Sequence, residues 1–202
     1  MPPPIEADPR PLTGEPLSID LLNTRWIDAE GAHDLLETLD GLEVWLAAPA
    51  VRRSIGGYRD PGDAPGGDRP VPADRATLEN VLRARAVLDE LIADPDRPPP
   101  HAVDALNDVL AHGRVRRVLR PDGRPDTVVE VAEPSWLPAW SAAENWLRLM
   151  ADRPERVRSC ANDDCVLHFY DISRNGTRRW CSMAGCGNRA KAQRHYARHH
   201  IG

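Results

Sequence analysis

CANDDCVLHFYDISRNGTRRWCSMAGC, residues 160–186, holds all four cysteines of a 202-residue chain. Cys160, Cys165, Cys181 and Cys186 form a C-x4-C-x15-C-x4-C pattern. Two matched pairs suit a tetrahedral metal: each short loop brings two thiolates to one ion, and the segment between them returns the chain to it. The spacing predicts one Zn2+ held by four sulfurs. No ligand position is then left for water, so the ion is structural and not catalytic. Two disulfides are disfavoured in a reducing compartment, and redox dithiols usually show C-x-x-C, which this stretch lacks. Iron is the remaining alternative, since tetrahedral sulfur sites accept it. His195 and His199 stand at H-x3-H spacing but lie far beyond the roughly 12 residues that a finger with two Cys and two His places before its histidines. They read as surface residues.

Between the pairs, VLHFYDISRNGTRRW has a strand-like start, an Asn175-Gly176 turn and a second strand-like run into Cys181. The expected order is knuckle, hairpin, knuckle, then a helix from about Gly187: a small zinc-ribbon or treble-clef-like module. The chain has a single Phe, within this segment, and little other apolar bulk beside it. A unit below about 70 residues usually needs a staple, and structural zinc supplies one.

Working outward, Arg153-Pro154 is the natural boundary, dividing residues 1–152 from 153–202. The first part reads as mainly helical with one β-hairpin, so the chain as a whole is α+β. Leu17, Ile19, Leu21 and Leu22 form a short apolar element ending at Asn23-Thr24. Residues 34–48 show three- and four-residue apolar spacing and are expected to be one helix. Residues 56–73 are a polar Gly/Pro loop. The clearest helix covers 74–93, with Asp74 as its cap, and another follows at about 101–111. The period then changes: Val115, Val118 and Leu119, a Pro-Asp-Gly turn, and Val128, Val129 and Val131 predict a hairpin. A last helix is expected at about 138–152. Asn23 and Thr24 read as caps, Arg83 and Arg85 as solvated helix residues, and His33, His101 and His112 as scattered surface groups.

The start, MPPPIEADPRP, lacks the basic and apolar segments of a signal peptide, and no apolar run approaches the roughly 18 residues of a membrane span. A cytoplasmic protein without a membrane partner is expected. No G-x-S-x-G, Gly-rich phosphate loop or H-E-x-x-H is present, so no enzyme is expected.

The net charge of −5 hides an asymmetry. Residues 1–152 are strongly acidic, whereas 153–202 carry a clear excess of Arg and Lys. On a helix after Cys186, Lys191, Arg194, His195 and Arg198 share one face. Arg178 and Arg179 lead into Cys181, and Arg174 sits beside the turn. A compact cationic surface on a rigid mount suits phosphate, and a helix of this width enters a major groove. Two blander readings stand beside it: the basic tail balances the acidic body, or the arginines neutralise the thiolates. A third is an adaptor that docks an acidic protein partner through the same surface.

The string Cys-Gly-Asn-Arg at 186–189, followed by Lys191 and preceded by RRWCSM at 178–183, resembles the CGNR zinc finger. LSIDLLNT at 17–24 and the helix–hairpin–helix order resemble the ABATE-type domain that precedes such fingers, in a family described as stress-induced transcription regulators. The stretch departs from that family in having Leu21 where an aromatic is more usual. The resemblance implies zinc on Cys160, Cys165, Cys181 and Cys186. It also marks Asn188, Arg189 and Lys191 as the signature's polar residues, Asn188 capping the helix or closing its first turn and Arg189 bracing thiolates or touching phosphate. With the charge split and the four-cysteine mount, the leading expectation is a transcription regulator whose finger contacts double-stranded DNA and whose N-terminal domain senses a small-molecule effector or mediates assembly, for instance as a homodimer.

Overall fold

In the computed structural model, residues 7–55 and 71–192 are described. Arg194, His195, Arg198, His199 and most of the expected Gly/Pro loop lie outside them. The first element is a six-residue helix, α1 (Leu17–Leu22), with every residue buried. That includes Asp20, a carboxylate that could not sit there unpartnered. It accepts from Arg10 Nη1 at 2.7 Å, Trp45 Nε1 at 3.0 Å and the Gly14 N–H at 2.9 Å.

Strands β1 (Arg25–Ile27) and β2 (Ala32–Asp34) form a short antiparallel pair. The helix expected over 34–48 is broken in two. Asp34 accepts from the Leu36 N–H and closes a 3-10 turn at Leu35–Glu37. Thr38 then caps α2 (Leu39–Ala47) through the Gly41 N–H. Two side-chain acceptors four residues apart thus start two helices where apolar spacing alone predicts one. At Gly41 an added Cβ would fall 1.7 Å from the Leu35 carbonyl oxygen, so only glycine fits this joint.

After α3 (Pro49–Ile55), the long helix α4 (Arg75–Ala93) is capped by Asp74, which accepts from the Thr77 N–H at 2.8 Å. Helix α5 (Pro100–Leu110) and the hairpin of β3 (Gly113–Leu119) with β4 (Pro125–Val131) lie as expected. Helix α6 (Leu137–Asp152) packs on α1, α4 and α5. Their apolar faces make one core that includes Leu17, Trp45, Val81, Leu88 and Trp146. Arg85 corrects the reading of a solvated helix arginine: it is buried within that face. Its guanidinium donates to both Asp34 oxygens, at 2.6 and 2.7 Å, and to Thr24 Oγ1 at 2.8 Å. His33 and His112 are also not lone surface groups, since they stack on Trp26 and Trp136.

A second apolar cluster joins Trp26 to Cys160, Leu167, Phe169, Cys181 and Cys186. It stitches the cysteine segment onto the helical part. No described helix is long and apolar enough to cross a membrane.

Candidate metal centre and cationic helix

The cysteine segment opens with β5 (Val157–Ser159), which pairs with β6 (His168–Tyr170). The first two cysteines occupy the loop between these strands, closed by Cys160 N–H to Leu167 O at 2.9 Å and Cys165 N–H to Asn162 O at 2.9 Å. The hairpin therefore carries the first pair at its tip and does not lie between the pairs as expected. The strand expected after Asn175-Gly176 is absent from the described residues, although the turn itself is present, with Gly176 at φ 61. Asp171 explains the difference. Its carboxylate accepts from the Ser173 N–H at 2.9 Å and the Arg178 N–H at 3.0 Å. Arg156 donates to the carbonyls of Asp171 and Ser173 at 2.9 and 2.7 Å. Backbone groups that a ladder would use are thus satisfied locally. Burial would raise the Asp171 carboxyl, but these hydrogen bonds and Arg158 outweigh it and hold it below the usual range.

The second pair enters a helix. Ser182 accepts from the Gly185 N–H at 3.0 Å and starts a wide turn at Met183–Gly187, which continues as α-helix over 188–192. The helix begins before the expected Gly187 because Ser182, and not Asn188, is its cap. Asn188 instead donates back to Ala184 O at 3.4 Å.

The four Sγ atoms all lie within 4.8 Å of one another. Cys165 and Cys181 are 3.8 Å apart, and Cys181 and Cys186 are 3.6 Å apart. A tetrahedral zinc site with bonds of about 2.3 Å has a sulfur–sulfur edge of about 3.8 Å. The cluster therefore fits one zinc ion with four thiolate ligands. Around it, the Cys181 N–H donates to Cys160 Sγ at 3.4 Å and Asn162 Nδ2 to Cys186 Sγ at 3.6 Å, contacts that favour thiolates. Protons are held unevenly: the hydrogen bond from Cys181 brings the Cys165 thiol down to about 5 and pushes Cys181 up, while burial raises Cys186. A zinc ion held by the four thiolates would displace the remaining protons, and its affinity would add to the folding free energy.

Residues 15–153 match the sequence profile of ABATE, described as a putative stress-induced transcription regulator. The chain belongs to the ABATE family. Residues 156–199 match the CGNR zinc finger. A search of curated proteins finds no match to the chain.

Within the CGNR finger the expected cationic residues divide. Arg174, Arg179, Arg189 and Lys191 are exposed, Arg179 lying over the Trp180 ring at 5.4 Å. Arg178 is a correction. Its guanidinium lies over Phe169 at 4.2 Å and donates to Cys181 O at 2.6 Å, Trp180 O at 3.1 Å and Glu15 Oε1 at 3.1 Å. It is a strut inside the finger, tied to the ABATE domain, and not a free cation.

The residues that seat the finger escape sequence reasoning. Asn23 donates through Nδ2 to His168 O and accepts from the His168 N–H, both at 2.9 Å, and so acts as one more strand residue against β6. Glu15 accepts from the Tyr170 N–H at 2.9 Å as well as from Arg178. Trp26 supplies the apolar floor under the cysteines. The motif LSIDLLNT contains Asn23, but nothing in its spacing announces a partner 145 residues away.

Proposed function

We propose that this ABATE–CGNR chain is a cytoplasmic transcription regulator, not an enzyme, whose finger contacts double-stranded DNA and whose N-terminal domain receives the signal. The observation that carries the reading is the placement of Arg189 and Lys191. Both are exposed on the helix that holds the ligand Cys186 in its first turn. A cation mounted one turn from a zinc ligand is held in place before it meets a phosphate, which lowers the ordering cost of contact. Arg174 and Arg179 extend the surface along the loop before Cys181, and Arg194 and Arg198 continue the pattern in sequence. Arg178 contributes indirectly, by fixing the backbone of Cys181.

Fluorescence anisotropy of the zinc-loaded protein on duplex DNA from its own upstream region, at several salt concentrations, tests this. Binding should weaken with salt by a slope of about −0.9 per phosphate contact, and Arg189→Ala with Lys191→Ala should make that slope shallower by about two contacts. Arg178→Met should lower stability first. Fully zinc-loaded protein without salt-sensitive binding to duplex DNA contradicts the reading and turns attention to an acidic protein partner.

A further inference from the structure

At the seam between the ABATE domain and the finger lies a cavity of about 400 Å3, a volume typical of small-molecule sites. Leu22, Trp26, Ile27 and Val166 give it apolar walls. Ile27, from β1, and Val166, from the finger, are each nearly half exposed and form two apolar lips. The Trp26 ring is fixed by stacking on His33 at 4.9 Å between centroids.

The charges around this space do not cancel. Asp34 is taken up by Arg85, and Asp89 by Arg25. Glu37 is left at the exposed rim, with no cation partner among the described residues. His168, which also lines the space, adds no positive charge at neutral pH, because burial and the neighbouring Arg25 bring it down to about 4. With Arg85 counted behind Asp34, the charges around the space therefore sum to one negative in excess. An ammonium group finds the Glu37 carboxylate, which favours a cation. An anion meets that carboxylate and a guanidinium already paired.

We propose that this seam cavity binds a small organic amine, cationic at neutral pH, with a compact aromatic or aliphatic body seated between Ile27, Val166 and Trp26. The proposal rests on the regulator reading only for the purpose of the site, as the place where an effector acts. Val166 and His168 belong to the finger and the other walls to the ABATE domain. A bound amine therefore favours the docked arrangement of the two over any other.

Isothermal titration calorimetry on the zinc-loaded full chain tests it with three probes of one body and different heads: phenethylamine, 2-phenylethanol and phenylacetate. Phenethylamine should bind at least about tenfold tighter than the alcohol, a gap of about 1.4 kcal/mol, and phenylacetate most weakly. Glu37→Gln, at an exposed position, should erase the preference of amine over alcohol. Ile27→Trp should fill the mouth and abolish binding of all three while the protein remains folded and zinc-loaded. Phenylacetate binding as tightly as phenethylamine overturns the proposal. So does an amine preference that survives Glu37→Gln, or no binding of any probe by folded, zinc-loaded protein. DNA plays no part in the titration. Amine binding by a protein that ignores duplex DNA would leave the site standing and remove the regulator reading; DNA binding without amine binding would remove the site alone.

Discussion

Asn23 shows how much of this molecule depends on single polar contacts across long sequence separations. Its side chain is fully buried, and both ends of its amide are committed to the backbone of His168. Replacing it with alanine strips a partly buried N–H and a partly buried carbonyl of His168 of their partners, and each such loss costs about 1–3 kcal/mol. Asn23→Ala should therefore destabilise the zinc-loaded protein by about 2–4 kcal/mol in urea unfolding; a loss indistinguishable from zero would mean that water replaces the contact. At this scale the sequence is a partial guide. The four cysteines announce themselves by spacing, because a metal forces its ligands into short repeated loops. Asn23, Glu15 and Arg178 do not, because an amide, a carboxylate and a guanidinium look the same in sequence whether they face solvent or clasp another segment. Arg85 misleads for the same reason: its burial depends on Asp34 and Thr24, which only the folded chain brings to it.

Among the elements, the helices with clear 3.6-residue spacing and the β3–β4 hairpin can be read from sequence, since burying one face dictates the pattern. The break at Thr38 and the early start at Ser182 cannot be read from apolar spacing, because both are set by side-chain oxygens competing for backbone N–H groups. Strand β6 has its own pH signature. Burial, with Arg25, brings His168 from an ordinary value of 6.5 to about 4. The folded state then prefers neutral imidazole, and the unfolded state takes up a proton first. The stability contributed is complete above pH 6.5 and is lost as pH falls from there towards 4. His168→Gln removes the titrating group while keeping a polar partner for Ser159. The stability gap between wild type and variant, measured by denaturant unfolding of zinc-loaded protein, should narrow from pH 7.5 to about 5. A gap independent of pH contradicts this account of β6.

For the whole molecule, two sequence matches meet in one structure. The ABATE domain and the CGNR finger share an apolar cluster in which Trp26 joins the buried Cys160, Cys181 and Cys186, with Cys165 packed against it. Glu15, Asn23 and the Tyr170 hydroxyl bonded to Asp152 tie the same surfaces together. The ion that closes the finger is thus expected to hold the seam as well, and with it the cavity and the cationic helix. Hydrogen exchange of the full chain with and without a zinc chelator tests this most directly. The account predicts that chelation exposes the amides of β5, β6 and the helix after Cys181, and also those of Asn23 to Ile27, while the middles of α4 and α6 stay protected. Loss of protection confined to residues after Pro154, with Asn23 to Ile27 unchanged, would contradict it.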